Sequence, residues 1–188
     1  GDVKEKDLFP HYFNDFVFDI CKEQGKHANW TVNFNPFEGG SDHTPFLQNK
    51  IPGLLMWHFT DVFYHTDNDR LDKVSATTMK NVGISALTVA YTLISADENT
   101  ASATVAQVKE DALARLKTEF DLSKAAIASG KSAKDEKHII EVWGKWYIDA
   151  LATIGKMAVD PKTTRVGSTI KVATLAIEKQ TQDYINAL

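Results

Sequence analysis

The chain has 188 residues, 43% apolar and 24% charged, an ordinary balance for a soluble globular protein that buries one core or a domain plus an appendage. A net charge of -4 without any Lys/Arg run excludes a general nucleic-acid surface. No apolar run reaches the roughly 20 residues of a membrane-spanning helix, so no membrane partner is expected.

Cys21 is the single cysteine, which excludes an intrachain disulfide and a multi-thiolate metal site. It falls on the apolar stripe of a predicted helix and reads as a buried structural thiol. The chain opens on Gly1-Asp2-Val3, which reads as a processed or recombinant end.

Leu8, Phe9, Tyr12, Phe13, Phe16, Val17, Ile20 and Cys21 recur at helical spacing, so a helix is predicted over 6–24, closing near Gly25. Thr31-Val32-Asn33-Phe34-Asn35 alternates and reads as a strand ending at Pro36. Glu38-Gly39-Gly40-Ser41 is a turn into a short helix over 44–49. Ile51 to Phe59 is apolar on both faces, the pattern of a strand buried in a mostly parallel sheet. After a polar and aromatic loop over 60–73, Ser75 caps a long helix to about Ala96. This order has the rhythm of a doubly wound α/β unit.

Asn99-Thr100-Ala101-Ser102-Ala103 then marks a change to helical periodicity alone. One stripe runs through Val105, Val108, Ala112, Leu113, Leu116 and Phe120. A broader one runs from Ile139 through Trp143, Trp146 and Tyr147 to Ile154, and a third from Ile170 to Tyr184. Gly130-Lys131-Ser132 and Asp160-Pro161 are the expected breaks. The predicted organisation is an α/β part over 1–97 and an all-helical extension over 98–188. Two strands do not make a stable sheet, so the α/β part is expected to be the end of a larger domain.

Polar clusters flank the predicted strand 51–59: Ser41-Asp42-His43-Thr44-Pro45-Phe46 before it and Tyr64-His65-Thr66-Asp67-Asn68-Asp69 after it. A neutral imidazole such as that of His65 suits zinc, and neighbouring carboxylates can fix its tautomer. Read singly, Asp42-His43 is a helix N-cap beside a hydrogen-bonded histidine, and His65 is a surface loop residue. His11, His27, His58 and His138 show no ligand spacing and receive no site.

Asp42-His43-Thr44-Pro45-Phe46-Leu47, then Ile51-Pro52-Gly53-Leu54, then Tyr64-His65-Thr66 with Asp69 and Leu71-Asp72 together resemble the closing segment of the zinc-dependent aminopeptidases. That family includes prostate-membrane-antigen-type carboxypeptidases and glutaminyl cyclases, and the likeness covers about residues 30–95. It implies a doubly wound zinc-peptidase sheet and hydrolysis of N-terminal residues from peptides at two zinc ions. It implies His65 as a zinc ligand and Tyr64 as a catalytic donor to the tetrahedral intermediate. Asp42, His43 and Asp69 match positions that shape the pocket and support the metal site. Tyr64 stands where glutaminyl cyclases carry a tryptophan, which favours the peptidase branch.

The family's other ligands, a His-x-Asp after a strand, a Glu-Glu pair and a further acidic residue, come earlier in its sequences. This chain has no Glu-Glu pair. His65-Thr66-Asp67 also spells His-x-Asp, but the Asp-His-Thr-Pro-Phe run before it and the long helix after it favour the closing-segment reading. One imidazole does not hold a catalytic zinc, which takes about three protein ligands. The expectation is therefore the C-terminal portion of a di-zinc exopeptidase, inactive alone, whose partners are a peptide substrate and the missing N-terminal half. The alternatives are a non-enzymatic interaction module, associating through Trp143 and Trp146, and a glutaminyl-cyclase-like acyltransferase. Oligomerisation is expected in either case, and export by resemblance alone.

Overall fold

The computed structural model describes residues 4–35, 40–58, 61–157 and 165–188. Among them the chain forms helices and no strand. The helices are α1 (Phe13–Ala28), α2 (His43–Gln48), α3 (Ala76–Ile94), α4 (Glu98–Ala128), α5 (Ala133–Thr153) and α6 (Arg165–Ala187). Short 3-10 turns lie at Glu5–Asp7, Leu71–Lys73 and Ile154–Lys156.

The expected α/β architecture with a doubly wound sheet is thus overturned: residues 31–35 and 51–58 lie outside any helix or strand. Strand propensity measures fit to a pleated, half-buried surface, and it is realised only where a neighbour pairs the backbone. Among the described residues 51–58 finds no such neighbour. Its Ile51, Met56 and Trp57 are 50%, 42% and 44% exposed, where a central strand would bury them. Pro36, Glu38-Gly39, Phe59 and the break at Asp160-Pro161 lie outside the described residues.

The first helix begins later than its apolar pattern suggests. Pro10 disfavours helix in the residue before it, and His11 Nδ1 accepts from the Phe13 N–H at 3.1 Å to cap α1. The helix also runs past Gly25, because Asn29 takes the left-handed turn at φ 50 that ends it. Gly25 is needed for a different reason: a Cβ there would meet the Trp30 carbonyl oxygen at 2.5 Å. Ser75 caps α3 as predicted, its Oγ accepting from the Thr78 N–H at 3.2 Å. The small, polar run 99–103 lies in the start of α4. Asp97 caps it, its carboxylate accepting from both the N–H and the hydroxyl of Thr100 at 2.8 Å.

The chain divides into two units, Gly1–Phe16 with Thr92–Leu188, and Val17–Tyr91. In the first, α4, α5 and α6 pack on one another in all three pairings. Ala101, Val105, Val108, Ala112 and Leu116 of α4 meet Ile140, Ala150 and Leu151 of α5 and Ile177 of α6 in a fully buried seam. The aromatic stripe of α5 belongs to this packing. Tyr147 is buried, and the Arg115 guanidinium lies over the Trp143 ring at 4.1 Å. Helices α5 and α6 cross where a Cβ on Gly144 would sit 2.3 Å from Thr181 Oγ1. The N-terminal residues join this unit through Tyr12 N–H to Thr153 Oγ1 at 3.2 Å and His138 to Glu5 at 3.1 Å. No helix among the described residues is long and apolar enough to cross a membrane.

The second unit, Val17–Tyr91, holds every candidate site residue. Gln24 Nε2 donates to Asn81 Oδ1 at 3.0 Å, joining α1 to α3 beside the buried Cys21 and Ser85. Burial pushes the Cys21 thiol pKa up, and the Ser85 hydroxyl pulls the other way. That suits an inert structural cysteine.

Candidate active-site segment

Helix α2 carries the first cluster. Asp42 occupies its N-cap position, exposed and without a side-chain cap bond. His43, one residue on, is buried at 9% exposure. The helix ends in a Schellman turn: Lys50 N–H bonds to the Leu47 carbonyl at 3.0 Å and Ile51 N–H to the Phe46 carbonyl at 2.9 Å. Lys50 adopts φ 59 to make it, a conformation that favours glycine. The turn folds the next segment back over α2, so that a Cβ built on Gly53 would lie 3.5 Å from His43 Cβ and 3.6 Å from Phe46 Cβ. Sequence order thus becomes contact: the Ile51-Pro52-Gly53-Leu54 run covers the histidine of the preceding cluster.

The second cluster is a turn built around Thr66. Its N–H and hydroxyl both bond to the Phe63 carbonyl, at 3.0 and 2.6 Å. Its hydroxyl accepts from Asn68 N–H at 3.2 Å and its carbonyl from Asp69 N–H at 3.1 Å. Arg70 Nε adds a bond to the Asp67 carbonyl at 3.0 Å. His65 sits in this turn at φ 61, left-handed and exposed. Its imidazole stacks on the Tyr64 ring, centroids 3.8 Å apart and planes 21° from parallel. The Trp57 ring meets Tyr64 in turn, at 5.5 Å and 70°.

Tyr64, His65 and Asp69 therefore share one turn, whereas Asp42 and His43 belong to α2. These positions do not add up to a metal centre. Among the described residues no three His, Cys, Asp or Glu side chains are grouped to hold an ion. A catalytic zinc takes about three protein ligands, so the donor set present does not fit zinc unaided. What the second cluster brings together is one imidazole stacked on one phenol. Sequence reasoning missed two contributors, Trp57 and Thr66. Trp57 lay inside an apolar run that read as strand, and the bonds of Thr66 are local backbone geometry without a spacing signal.

No match was found among curated proteins or among solved structures. The scan of family models did return one, and it coincides with the unit just described together with the residues leading into it. It supports a function of metallopeptidase type at the family level. Residues 4–90, somewhat under half of the chain, match the model of peptidase family M28, which supports for this segment the zinc-dependent aminopeptidase and glutaminyl-cyclase-like family that the two clusters resemble.

Proposed function

We propose that this chain supplies one wall of a metallo-exopeptidase active site, most closely that of an aminopeptidase, and that the remaining ligands come from another polypeptide segment. The observation that carries the reading is the M28 match over 4–90, which contains both clusters in family order. His65 contributes one ligand to zinc in the completed site. The Tyr64 hydroxyl, held beside it, donates a hydrogen bond to the oxyanion that develops on the scissile carbonyl of a peptide. Asp42, His43 and Asp69 shape the pocket. Export and self-association belong to the same proposal.

The test is complementation. The full chain is combined with an M28 aminopeptidase truncated before its closing segment, which brings the His-x-Asp and Glu-Glu motifs. Hydrolysis of leucine p-nitroanilide is expected only in the mixture, and is expected to vanish with His65→Ala. A stable complex that stays inactive, or activity indifferent to His65→Ala, would overturn the proposal.

A second reading is an interaction module that keeps the family scaffold without its chemistry. Under it the chain self-associates and the complemented pair never turns over. A clean monomer in sedimentation at high concentration would count against self-association under either reading, so the turnover of the complemented pair is what separates the two.

A further inference from the structure

We propose that Trp57 is the positioning residue for the His65 imidazole and acts through the Tyr64 ring. The inference rests on the reading of His65 as a metal ligand and adds what sets its direction. An exposed histidine ordinarily samples several rotamers, while a ligand has to be held within about 0.5 Å of its productive geometry. Two devices restrict this one. The Thr66-centred turn fixes the backbone at φ 61, a region that a non-glycine residue keeps only when its surroundings over-determine it. That sets the direction of the Cα–Cβ bond.

The rotamer is then set by the rings. Tyr64 lies nearly parallel to the imidazole at 3.8 Å, and Trp57 stands edge-on to Tyr64 at 5.5 Å. Edge-to-face contact sets the positive rim of one ring against the negative face of the other, which gives the pair an orientation as well as an attraction. Trp57 is 44% and Tyr64 48% exposed, so the ladder stands on the surface rather than filling a core. Trp57 also follows Gly53, which lies over His43. One segment, 51–58, therefore touches both clusters and ties the His65 direction to α2.

The experiment is proton NMR of the full chain with labelled histidine and no added metal, His65 being assigned by loss of its signals in His65→Gln. Stacking predicts His65 ring protons upfield of their position in the urea-unfolded chain. Trp57→Phe is expected to keep that shift. Trp57→Ala is expected to return it towards the unfolded position with the helical circular dichroism unchanged, and Tyr64→Leu to abolish it. A wild-type His65 at the unfolded position would overturn the proposal, as would a shift that survives Trp57→Ala. If Trp57→Ala loses its helical signal, the wild-type nuclear Overhauser contact between the Trp57 and Tyr64 rings decides: its presence supports the proposal and its absence overturns it. No metal enters this measurement, so failed complementation with an intact ring shift would count against the proposed function alone.

Discussion

Gly144 is where the helical unit is least tolerant of one added carbon. A Cβ there would lie 2.3 Å from Thr181 Oγ1, 2.8 Å from Cγ2 and 3.1 Å from Cβ. Thr181 is β-branched and stiff at χ1, so rotation exchanges one clash for another and leaves the Cβ contact in place. Helices α5 and α6 would have to move apart over a buried crossing. Overpacking of this kind costs about 1–3 kcal/mol, and replacing a helical glycine by alanine returns about 1 kcal/mol. Gly144→Ala is therefore expected to destabilise by about 1 kcal/mol net. In a Thr181→Ala background only the Cβ contact remains, so the same change should be neutral or stabilising, a coupling of about 1–2 kcal/mol. Urea unfolding of the four full-length chains, followed by helical circular dichroism, measures it. Equal effects of Gly144→Ala in both backgrounds would refute the close crossing, and so would a gain of about 1 kcal/mol in the wild-type background.

Lys50 and His65 both hold left-handed backbone at φ 59 and 61, so glycine should be more stable than alanine at each by about 0.5–1 kcal/mol in urea unfolding. Alanine matching glycine at both would remove the two turns. Gly25→Ala is expected to lower the unfolding midpoint, because the atom it meets is the Trp30 backbone carbonyl, which cannot rotate away; an unchanged midpoint would count against that approach. Two histidines give opposite pH dependences. Glu5 first, and then Glu141, raise the His138 pKa above 6.5. Its contribution is whole below pH 6.5 and lost as pH rises through the raised value, and His138→Gln should remove that loss. Burial first, and then Lys156, lower the pKa of His11, so its contribution holds above pH 6.5 and is lost as pH falls through the lowered value. Protonation also removes the Nδ1 acceptor that caps Phe13, and His11→Asn should flatten the acid side. Stability curves that keep their slopes in these variants would contradict the assignments.

The helices were legible because their determinants are local. Ser75 caps where it was expected, Gly130 turns at φ 95 and Ser132 caps α5. Asp97 was missed as a cap because only the structure shows its carboxylate accepting from Thr100. The strands failed for the opposite reason. Nothing within Thr31–Asn35 or Ile51–Trp57 decides whether a neighbouring strand exists, and pairing alone turns β-propensity into a strand. In the site, the order of motifs was readable, whereas the covering of His43 by the Ile51-Pro52-Gly53 run was not, because it follows from the left-handed turn at Lys50. The ring ladder was not, because Trp57 and Tyr64 meet through folding of a loop whose sequence has no period. The carboxylate deficit was read from the absence of Glu-Glu alone.

The most direct test of the one-wall site is zinc retention with peptidase activity on the purified full chain. The chain is saturated with zinc, desalted and analysed by inductively coupled plasma mass spectrometry, then assayed on aminoacyl anilides and short peptides. The expected result is zinc far below one ion per chain and no release of N-terminal residues. One or two retained zinc ions per chain, with hydrolysis abolished by chelation, would contradict it and show that the chain completes the site by itself.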